Sequence, residues 1–338
     1  MGVNRQLRLA QRPDGLVDDS TFELVEEPIP DLADGEALVR NVYLSIDPTN
    51  RVWIREEPSY LPPVAIGEVM RSGAVGEVVE SRNDDYPVGA TVTGLLGWQE
   101  FSVLGAGVFA RVVPAGVPMT AVMNVLGTSG MTAYFGLIDI AEPKPGETVV
   151  VSGAAGSVGS LAGQVAKILD CRVIGIAGTD DKCAWVTDDL GFDACINYKT
   201  EDVGKRLDEL CPDGIDVYFD NVGGSILDQA LARLALNARI SVCGTISSYN
   251  ASGLPEPLYW YGNLVSMRAR MEGFLVLDYL DRFDEGAAKM LEWIAEGKLK
   301  AREEIVEGLE HAPRALNMLF AGENTGKLLV KVGDEPAA

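Results

Sequence analysis

The feature that most constrains the fold of this chain is an apolar strand-like run followed at once by a glycine-rich turn and an amphipathic helix. Residues 148–152 read TVVVS and residues 153–159 read GAAGSVG. From about Val158 onward, apolar residues recur at three- and four-residue steps, which is typical of a helix with one face on a sheet. This order predicts the opening of a βαβ unit.

The same alternation continues toward residue 299. Five further runs have the continuous apolar character of strands that are buried on both faces of a sheet, namely RVIGIAG, ACINY, DVYFDN, ARISVCG and RMEGFLV. Helical stretches are predicted to begin at about Asp180, Val203 and Ser225. Residues 126–299 are therefore predicted to form an α/β domain, a Rossmann-type doubly wound parallel sheet.

Residues 1–125 have a different texture, with short β-like runs separated by Gly and Pro. The runs are Phe22 to Val25, Ala37 to Ile46, Gly73 to Val79, Ala90 to Leu96, and Gln99 to Val103. This part is predicted to be a mainly β substrate domain. Residues 300–338 contain EEIVEG, a short helix over 312–319 and KLLVKV, and we expect them to return to that domain.

The glycine-rich turn predicts a pyrophosphate site, because a helix N-terminus offers unpaired N–H groups and a positive dipole end. Gly156 and Gly159 are the positions at which a side chain would obstruct the phosphates. NAD-preferring folds usually place Asp or Glu about 20 residues further on, to bind the ribose 2′-hydroxyl. Gly178 stands there instead and Lys182 follows, which favours NADP(H). The alternative is that Lys182 is solvated and that Asp180 or Asp181 binds the ribose.

Composition excludes several other functions. The chain has 28 basic and 50 acidic residues, for a formal net charge of −22, so nucleic acid and anionic membranes should repel it. No signal-like or membrane-spanning segment stands out, and we expect a soluble cytoplasmic protein.

The cysteine and histidine content bears on disulfides and on zinc binding. The five cysteines are odd in number and never spaced as CxxC, which suits reduced thiols. No Cys precedes Cys171 and the one His is His311, predicted to be structural or exposed, so we expect no catalytic zinc site.

A series of segments, in order, resembles a known family. They are LSIDP, GWQEF, GTSGMTAYFGL, AAGSVGSLAGQVAK, INYKT, FDNVGG, CGTISSYN and NTGKLLVKV. The chain is similar along nearly its whole length to the zinc-independent medium-chain dehydrogenases/reductases, the group that includes prostaglandin reductases, plant alkenal double-bond reductases and bacterial curcumin reductase. The resemblance implies a GroES-like first domain and often a homodimer formed by edge-to-edge extension of the Rossmann sheet.

The resemblance also implies roles for individual residues. Gly156, Ser157, Val158 and Gly159 would hold the pyrophosphate, and Lys182 and Tyr198 would contact the 2′-phosphate. The nicotinamide half of the cofactor would be lined by Asn221, Cys243, Gly244, Thr245, Ile246, Ser247, Tyr249, Phe274, Leu275, Val276 and Asn324. The chain departs from the family at residues 47–51, which read DPTNR where many members read DPYMR, and at Ser266, where some members carry a tyrosine.

The reaction implied is reduction of the C=C bond of an α,β-unsaturated ketone or aldehyde by NADPH without a metal. Tyr249 is the first candidate for a hydrogen-bond donor or proton donor, and Tyr60, Tyr259 and Tyr261 are alternatives. Two rival hypotheses stay open. One is quinone reduction with the same fold and cofactor. The other is a non-catalytic NADPH-binding sensor or scaffold, and the altered DPTNR segment is the reason for considering it.

Overall fold

A computed structural model of the protein describes residues 2–57 and 59–336. These residues form two compact units. The first contains the chain up to Met123 together with the chain from Glu303 onward, and the second is Asn124–Arg302. The domain boundaries predicted from the sequence are at residues 125/126 and 299/300.

The N-terminal segment of the first unit is rich in short strands. Its strands and helices, in chain order, are β1 (Val3–Leu9), β2 (Phe22–Pro28), β3 (Ala37–Ser45), α1 (Thr49–Trp53), β4 (Ala74–Ser81), β5 (Thr91–Gly94), β6 (Phe101–Leu104), β7 (Ala110–Val112) and α2 (Met119–Met123).

In the second unit strands and helices alternate. They are α3 (Thr128–Phe135), β8 (Thr148–Ser152), α4 (Ser157–Ile168), β9 (Arg172–Ala177), α5 (Asp180–Ala184), β10 (Ala194–Asn197), α6 (Val203–Leu210), β11 (Ile215–Asp220), α7 (Gly224–Leu231), β12 (Leu234–Val242), α8 (Asn263–Ser266), β13 (Arg270–Gly273) and α9 (Phe283–Ala295). The last segment returns to the first unit with β14 (Glu303–Glu307), α10 (Ala312–Ala321) and β15 (Lys327–Lys331).

The first unit is built on a seven-stranded sheet. Six strands follow the order β14-β15-β3-β4-β5-β7, and β6 also pairs with β3, while β1 and β2 form a separate antiparallel pair. Strand β3 is buried along almost its whole length, because it has neighbours on both edges. Helix α10 packs into the same core through Ala312, Ala315 and Leu316. The mainly β character predicted for this part is confirmed.

The second unit is a six-stranded parallel sheet with the strand order β10-β9-β8-β11-β12-β13. This is the doubly wound order, in which the winding direction reverses between the first and fourth strands along the chain, here β8 and β11. One face is covered by α6 and α7, whose Leu207, Leu227 and Leu231 pack on Ile174 and Ile196. All six predicted strands are present, and the predicted Rossmann fold is confirmed.

Ligands of doubly wound sheets bind outside the carboxyl ends of the strands, at the point where the winding direction reverses. In this unit that point lies between the ends of β8 and β11. The glycine-rich turn of residues 153–156 follows β8 directly, so the predicted phosphate loop lies at the position where the fold favours a ligand.

Candidate functional site

The carboxyl end of β8 continues into a turn that brings its backbone against the start of α4. Gly153 has a φ of 61°, in the left-handed region that residues with a side chain rarely adopt. A Cβ atom at Gly159 would lie 2.3 Å from the carbonyl oxygen of Gly153, and a Cβ atom at Gly156 would lie 3.2 Å from it. The tightness of the turn therefore depends on glycine, most strictly at position 159.

Helix α4 presents its first turn without a side-chain cap. Its N-cap residue is Gly156, which has no side chain to accept bonds from the N–H groups that follow. The N–H groups of the first turn have no intrahelical acceptor, and the helix dipole adds partial positive charge there. The Ser157 hydroxyl donates to Oδ1 of Asn124 at 2.8 Å. Backbone N–H groups are thus the natural donors to a phosphate at this helix end.

A buried carboxyl group joins the ends of β8 and β11. Asp220 is 0 % exposed, and its Oδ1 accepts hydrogen bonds from the Ser152 hydroxyl at 2.9 Å and from the N–H groups of Val222 at 3.1 Å and Gly223 at 3.0 Å. Burial nevertheless raises the pKa of the Asp220 carboxyl. These bonds hold the two strand ends in one arrangement.

Asn221 lies beside the glycine-rich turn. Its Nδ2 donates to the Ser152 carbonyl at 2.7 Å, and its backbone N–H donates to the Ser152 hydroxyl at 2.8 Å. A Cβ atom at Gly153 would lie 3.4 Å from the Asn221 Cβ. The structure thus brings Asn221 and the predicted phosphate loop together at the reversal point of the sheet.

The segment after β12 folds over the turn that follows β11. The N–H groups of Cys243 and Gly244 donate to the Asp220 carbonyl at 2.9 and 3.1 Å, and the N–H of Ile246 donates to the Asn221 carbonyl at 3.3 Å. Burial raises the pKa of the Cys243 thiol to about 12, so this thiol stays protonated at neutral pH. Backbone bonds therefore place residues 243–246 next to Asn221.

Tyr249 lies three residues further along the same segment. Its hydroxyl accepts a hydrogen bond from the Thr245 N–H at 3.2 Å and lies 3.2 Å from the position of a Cβ at Gly244. The Ser247 hydroxyl donates to the Val222 carbonyl at 2.7 Å. The phenol group of Tyr249 is therefore held at the carboxyl end of β12, in the group of predicted nicotinamide contacts.

The segment after β13 is anchored by an aromatic ring. A Cβ atom at Gly136, which follows α3, would lie 2.3 Å from the Phe274 ring. The Phe274 ring also makes an edge contact with Phe219 of β11, with centroids 6.5 Å apart. Phe274, Leu275 and Val276 are all partly buried. This packing fixes where the backbone of residues 274–276 leaves the sheet.

The predicted 2′-phosphate contacts, Lys182 on α5 and Tyr198 after β10, lie around Gly178, which follows β9. A Cβ atom at Gly178 would lie 3.1 Å from the hydroxyl oxygen of Tyr198, whose side chain is 41 % exposed. Thr179 caps α5 by accepting the Lys182 N–H on Oγ1 at 3.2 Å. Tyr198 and Lys182 are thus both anchored around Gly178, where an acidic residue would stand in an NAD-preferring fold.

The alternative ribose ligand Asp180 is already engaged. Asn197 at the end of β10 donates from Nδ2 to Asp180 Oδ1 at 2.6 Å. One oxygen of that carboxylate therefore serves to join α5 to β10, while Asp181 is exposed.

The remaining predicted site residues belong to the first unit or to the segment before α8. Asn324 belongs to the first unit, where it is buried and its Nδ2 donates to the Gly326 carbonyl at 3.0 Å. Tyr60 is also in the first unit, and its hydroxyl forms a hydrogen bond with the Thr49 hydroxyl. Tyr259 and Tyr261 precede α8 and are 76 % and 64 % exposed.

The DPTNR segment has defined partners within the first unit. Asn50 is buried; its Oδ1 accepts the Asp47 N–H at 2.8 Å, and its Nδ2 donates to the Arg71 carbonyl at 3.0 Å. Thr49 is the partner of the Tyr60 hydroxyl. The two small polar residues that depart from the DPYMR pattern are therefore both hydrogen-bonded.

Comparison with known proteins assigns the family. Residues 5–112 match a family model described as the N-terminal domain of oxidoreductase, and residues 157–296 match one described as zinc-binding dehydrogenase. The NADPH-dependent curcumin reductase of Escherichia coli is 42% identical over 339 residues, which cover 98% of each chain. The chain belongs to the medium-chain dehydrogenase/reductase family.

Two further members of this family are informative. The 2-alkenal reductase (NADP(+)-dependent) of Nicotiana tabacum is 39% identical over 339 residues, 98% of each chain. The crystal structure of CurA from Vibrio vulnificus in complex with NADPH superposes with a TM-score of 0.93 at 42% identity, covering 98% of this chain and 100% of that chain.

The structure also bears on whether this chain could hold a metal ion. Among the described residues, no group of three or more His, Cys, Asp and Glu is arranged to hold a metal ion. The sole histidine, His311, is exposed at the start of α10. In the part of the chain that the structure describes, no helix combines the length and apolar character needed to cross a membrane.

Sequence reasoning missed two residues that shape the site, Ser152 and Gly136. Ser152 hydrogen-bonds to Asp220 across two strands, and Gly136 leaves the space that the Phe274 ring fills. A weak signal existed for Ser152, since a hydroxyl residue ends the otherwise apolar run of β8. No signal existed for Gly136, because its neighbour is 138 residues away.

Proposed function

We propose that this protein is an NADPH-dependent reductase of the C=C bond of α,β-unsaturated ketones and aldehydes. The observation that carries the proposal is the joint placement of a glycine-dependent helix N-terminus after β8 and of Lys182 and Tyr198 around Gly178 after β9. The NADP dependence in the names of the curcumin and 2-alkenal reductases supports it.

The fit of the site to the cofactor follows from its donors. Backbone N–H groups of Ser157, Val158 and Gly159 would hold the pyrophosphate, because Gly159 leaves the turn open to close approach. The Lys182 ammonium and the Tyr198 hydroxyl would hold the 2′-phosphate, since both are hydrogen-bond donors.

For the nicotinamide half, we propose two groups of residues. The first consists of Asn221 and the 243–249 segment, both held by backbone bonds at the ends of β11 and β12. The second consists of residues 274–276 after β13. The nicotinamide contact of Asn324, which belongs to the first unit, stays a prediction from the sequence.

In the proposed reaction, NADPH held by these residues would supply the hydride that adds to the β-carbon of the substrate. The electron pair of the C=C bond moves toward the carbonyl, negative charge develops on its oxygen, and the α-carbon later takes a proton from water. What this chain must supply is alignment and a hydrogen bond to that oxygen. Tyr249 is our first candidate for the donor, because its phenol is held rigidly among the proposed nicotinamide contacts.

Three companion proposals accompany the reaction. The first unit serves as the substrate domain and the second as the cofactor domain. The chemistry proceeds without a metal, which the scarcity of thiolate and imidazole ligands supports. The protein is cytoplasmic, which its five free thiols support, since thiols stay reduced in that compartment.

We also propose that the protein is a homodimer. Strand β13 is the outer strand of the parallel sheet, and all four of its residues are exposed. Such an edge is a template for pairing with another chain. Exposed apolar side chains lie in the preceding segment, with Leu254 97 %, Tyr259 76 % and Val265 81 % exposed. Size-exclusion chromatography with light scattering tests this; a monomeric mass at micromolar concentration refutes it.

The experiment that tests the function measures oxidation of NADPH and of NADH against a linear alkenal, a linear enone, a curcuminoid and a quinone. A saturated aldehyde of equal length is the control. A C=C reductase leaves it unreacted, whereas a carbonyl reductase reduces it. Turnover of the alkenal or enone with NADPH, with the saturated carbonyl product identified by mass, is expected. Turnover of the quinone alone would identify a quinone reductase, and binding of NADPH without any turnover would identify a non-catalytic binding protein.

A further inference from the structure

Two of the five cysteines are neighbours in the second unit. Cys183 lies on α5 and Cys195 lies on β10, and the two thiols are near enough for each to shift the pKa of the other. Cys183 and Cys195 are partly exposed, as is Cys243, whereas Cys171 and Cys211 are buried. The pair therefore combines two neighbouring thiols with partial exposure of both residues.

Strand geometry gives an independent reason for the proximity of the two residues. Side chains alternate along β10, and Ile196 packs with Leu207 of α6. Cys195 must therefore face the opposite side, where its Sγ lies 3.4 Å from the position of a Cβ at Gly175. Successive right-handed crossovers in the direction β8 to β9 to β10 place α4 and α5 together on that side. Cys183 of α5 thus lies over the face that Cys195 occupies.

The pair lies within the segments that carry the proposed 2′-phosphate contacts. Cys183 follows Lys182 directly, and Cys195 precedes Tyr198 by three residues. The two segments are already joined by the hydrogen bond from Asn197 to Asp180 at 2.6 Å. A covalent bond between the sulfurs would change the relative position of α5 and β10, and with it the spacing of Lys182 and Tyr198.

The thiols of the chain differ in reactivity. The neighbouring Cys195 thiol lowers the pKa of Cys183, and the neighbouring Cys183 thiol raises the pKa of Cys195. Burial raises the pKa to about 11 at Cys171 and Cys211, and to about 12 at Cys243. Because the thiolate is the nucleophile in disulfide exchange, Cys183 is the thiol that reacts first.

We propose that Cys183 and Cys195 form a reversible disulfide when the protein meets a disulfide oxidant such as oxidised glutathione, and that the disulfide weakens NADPH binding. The Cys183 thiolate attacks one sulfur of oxidised glutathione, which forms a mixed disulfide and releases one glutathione thiolate. The Cys195 thiol loses its proton to solvent and attacks the Cys183 sulfur, which releases the second glutathione. Two electrons pass from the pair to the oxidant, and excess reduced glutathione reverses the exchange. The effect on NADPH rests on the proposed roles of Lys182 and Tyr198.

The sequence provides a sharp chemical readout. Trypsin cleaves after Lys182 and after Lys199, and residues 183–199 contain no other Lys or Arg, so both cysteines fall in one peptide. After treatment of the full-length protein with oxidised glutathione and alkylation without reduction, this peptide is expected to be unalkylated and lighter by about 2 Da. Two alkyl groups on the peptide would overturn the proposal.

Single variants test the order of attack. Cys195→Ser is expected to retain one glutathione on residue 183, while Cys183→Ser is expected to retain none on residue 195. The matched control Cys171→Ser, a thiol outside the pair, should form the disulfide as the wild type does. A glutathione adduct at Cys195 in Cys183→Ser would contradict the assignment of the nucleophile.

Binding is measured on the same samples by titration with NADPH and with NADH. The disulfide is expected to raise the Kd for NADPH roughly tenfold and to leave that for NADH within about twofold, because only the 2′-phosphate contacts move. Cys183→Ser, which forms neither the disulfide nor the glutathione adduct, should keep full NADPH affinity in oxidant. A disulfide with unchanged NADPH affinity would overturn the proposed effect, while the peptide mass separately decides whether the bond forms, whatever the activity of the enzyme.

Discussion

Substitution of Gly159 by alanine tests the phosphate loop directly. The added Cβ would lie 2.3 Å from the Gly153 carbonyl oxygen, 2.9 Å from the Gly153 carbonyl carbon and 3.0 Å from the Ala154 Cα. All three neighbours are backbone atoms, so no side chain can rotate away. The glycine-rich turn and the first turn of α4 must therefore move apart.

The size of the effect follows from two terms. Forcing an extra methyl into a close-packed site costs about 1–3 kcal/mol of stability, which lowers the unfolding midpoint by several degrees. The displaced N–H groups also lose one charge-assisted bond to the pyrophosphate, and about 1.5–3 kcal/mol corresponds to a roughly 10- to 150-fold rise in Kd for NADPH. Differential scanning fluorimetry and equilibrium NADPH titration measure the two terms separately.

Gly163 provides the matched control on the same helix. A Cβ there would lie 1.9 Å from the Phe192 ring, away from the glycine-rich turn, so Gly163→Ala should lower stability and leave the Kd for NADPH within about twofold. The reasoning fails if Gly159→Ala binds NADPH as tightly as the wild type. It also fails if Gly163→Ala weakens binding as much as Gly159→Ala does.

Three further predictions concern single side chains. Lys182→Ala should raise the Kd for NADPH roughly tenfold but leave that for NADH unchanged, because only the 2′-phosphate loses a cation; equal losses for both would remove Lys182 from the site. Tyr249→Phe should lower kcat on an enone by about tenfold or more with little change in NADPH Kd, measured by steady-state kinetics, and full turnover would exclude Tyr249 as the donor. Burial raises the pKa of Asp220 in the folded state. The ionised carboxylate therefore destabilises the folded protein, and the contribution of Asp220 to stability falls as the pH rises from about 4. Asp220→Asn, which keeps an Oδ1 acceptor, should therefore gain stability relative to the wild type between about pH 4 and pH 7 in thermal unfolding; a difference that does not change with pH would refute this.

The second unit was largely predictable because its strands are buried on both faces. A parallel strand covered by helices reads as an uninterrupted apolar run, and VVV in β8 and VIGI in β9 have this character. The glycine positions were predictable for a related reason, since close approach of backbone to backbone leaves a trace in composition. Gly159 shows this, with less than a methyl group of space beside it.

The first unit was less predictable, and β1 shows why. Its residues Asn4 and Gln6 are buried although they are polar, so the run VNRQLRL lacks the alternation expected of a strand. Their amides are satisfied by Gln99, whose Oε1 accepts from both at 3.2 and 2.9 Å. The side-chain partners of these two buried amides are more than 90 residues away, and no local pattern reveals them.

The same limit applies to the centre of the proposed site. Ser152 and Asp220 stand 68 residues apart in sequence, yet the bond between their side chains and the two bonds from Asn221 to Ser152 join β8 to β11 at the reversal point. The glycine-rich turn leaves β8 at Ser152, and the predicted nicotinamide contact Asn221 leaves β11 at Asp220. The two halves of the proposed cofactor site are therefore positioned by one small buried network and do not move independently. A cofactor that spans the reversal point would meet a site already formed, so the affinity lost in variants of this network should appear for NADH as well as for NADPH, in contrast to the loss at Lys182.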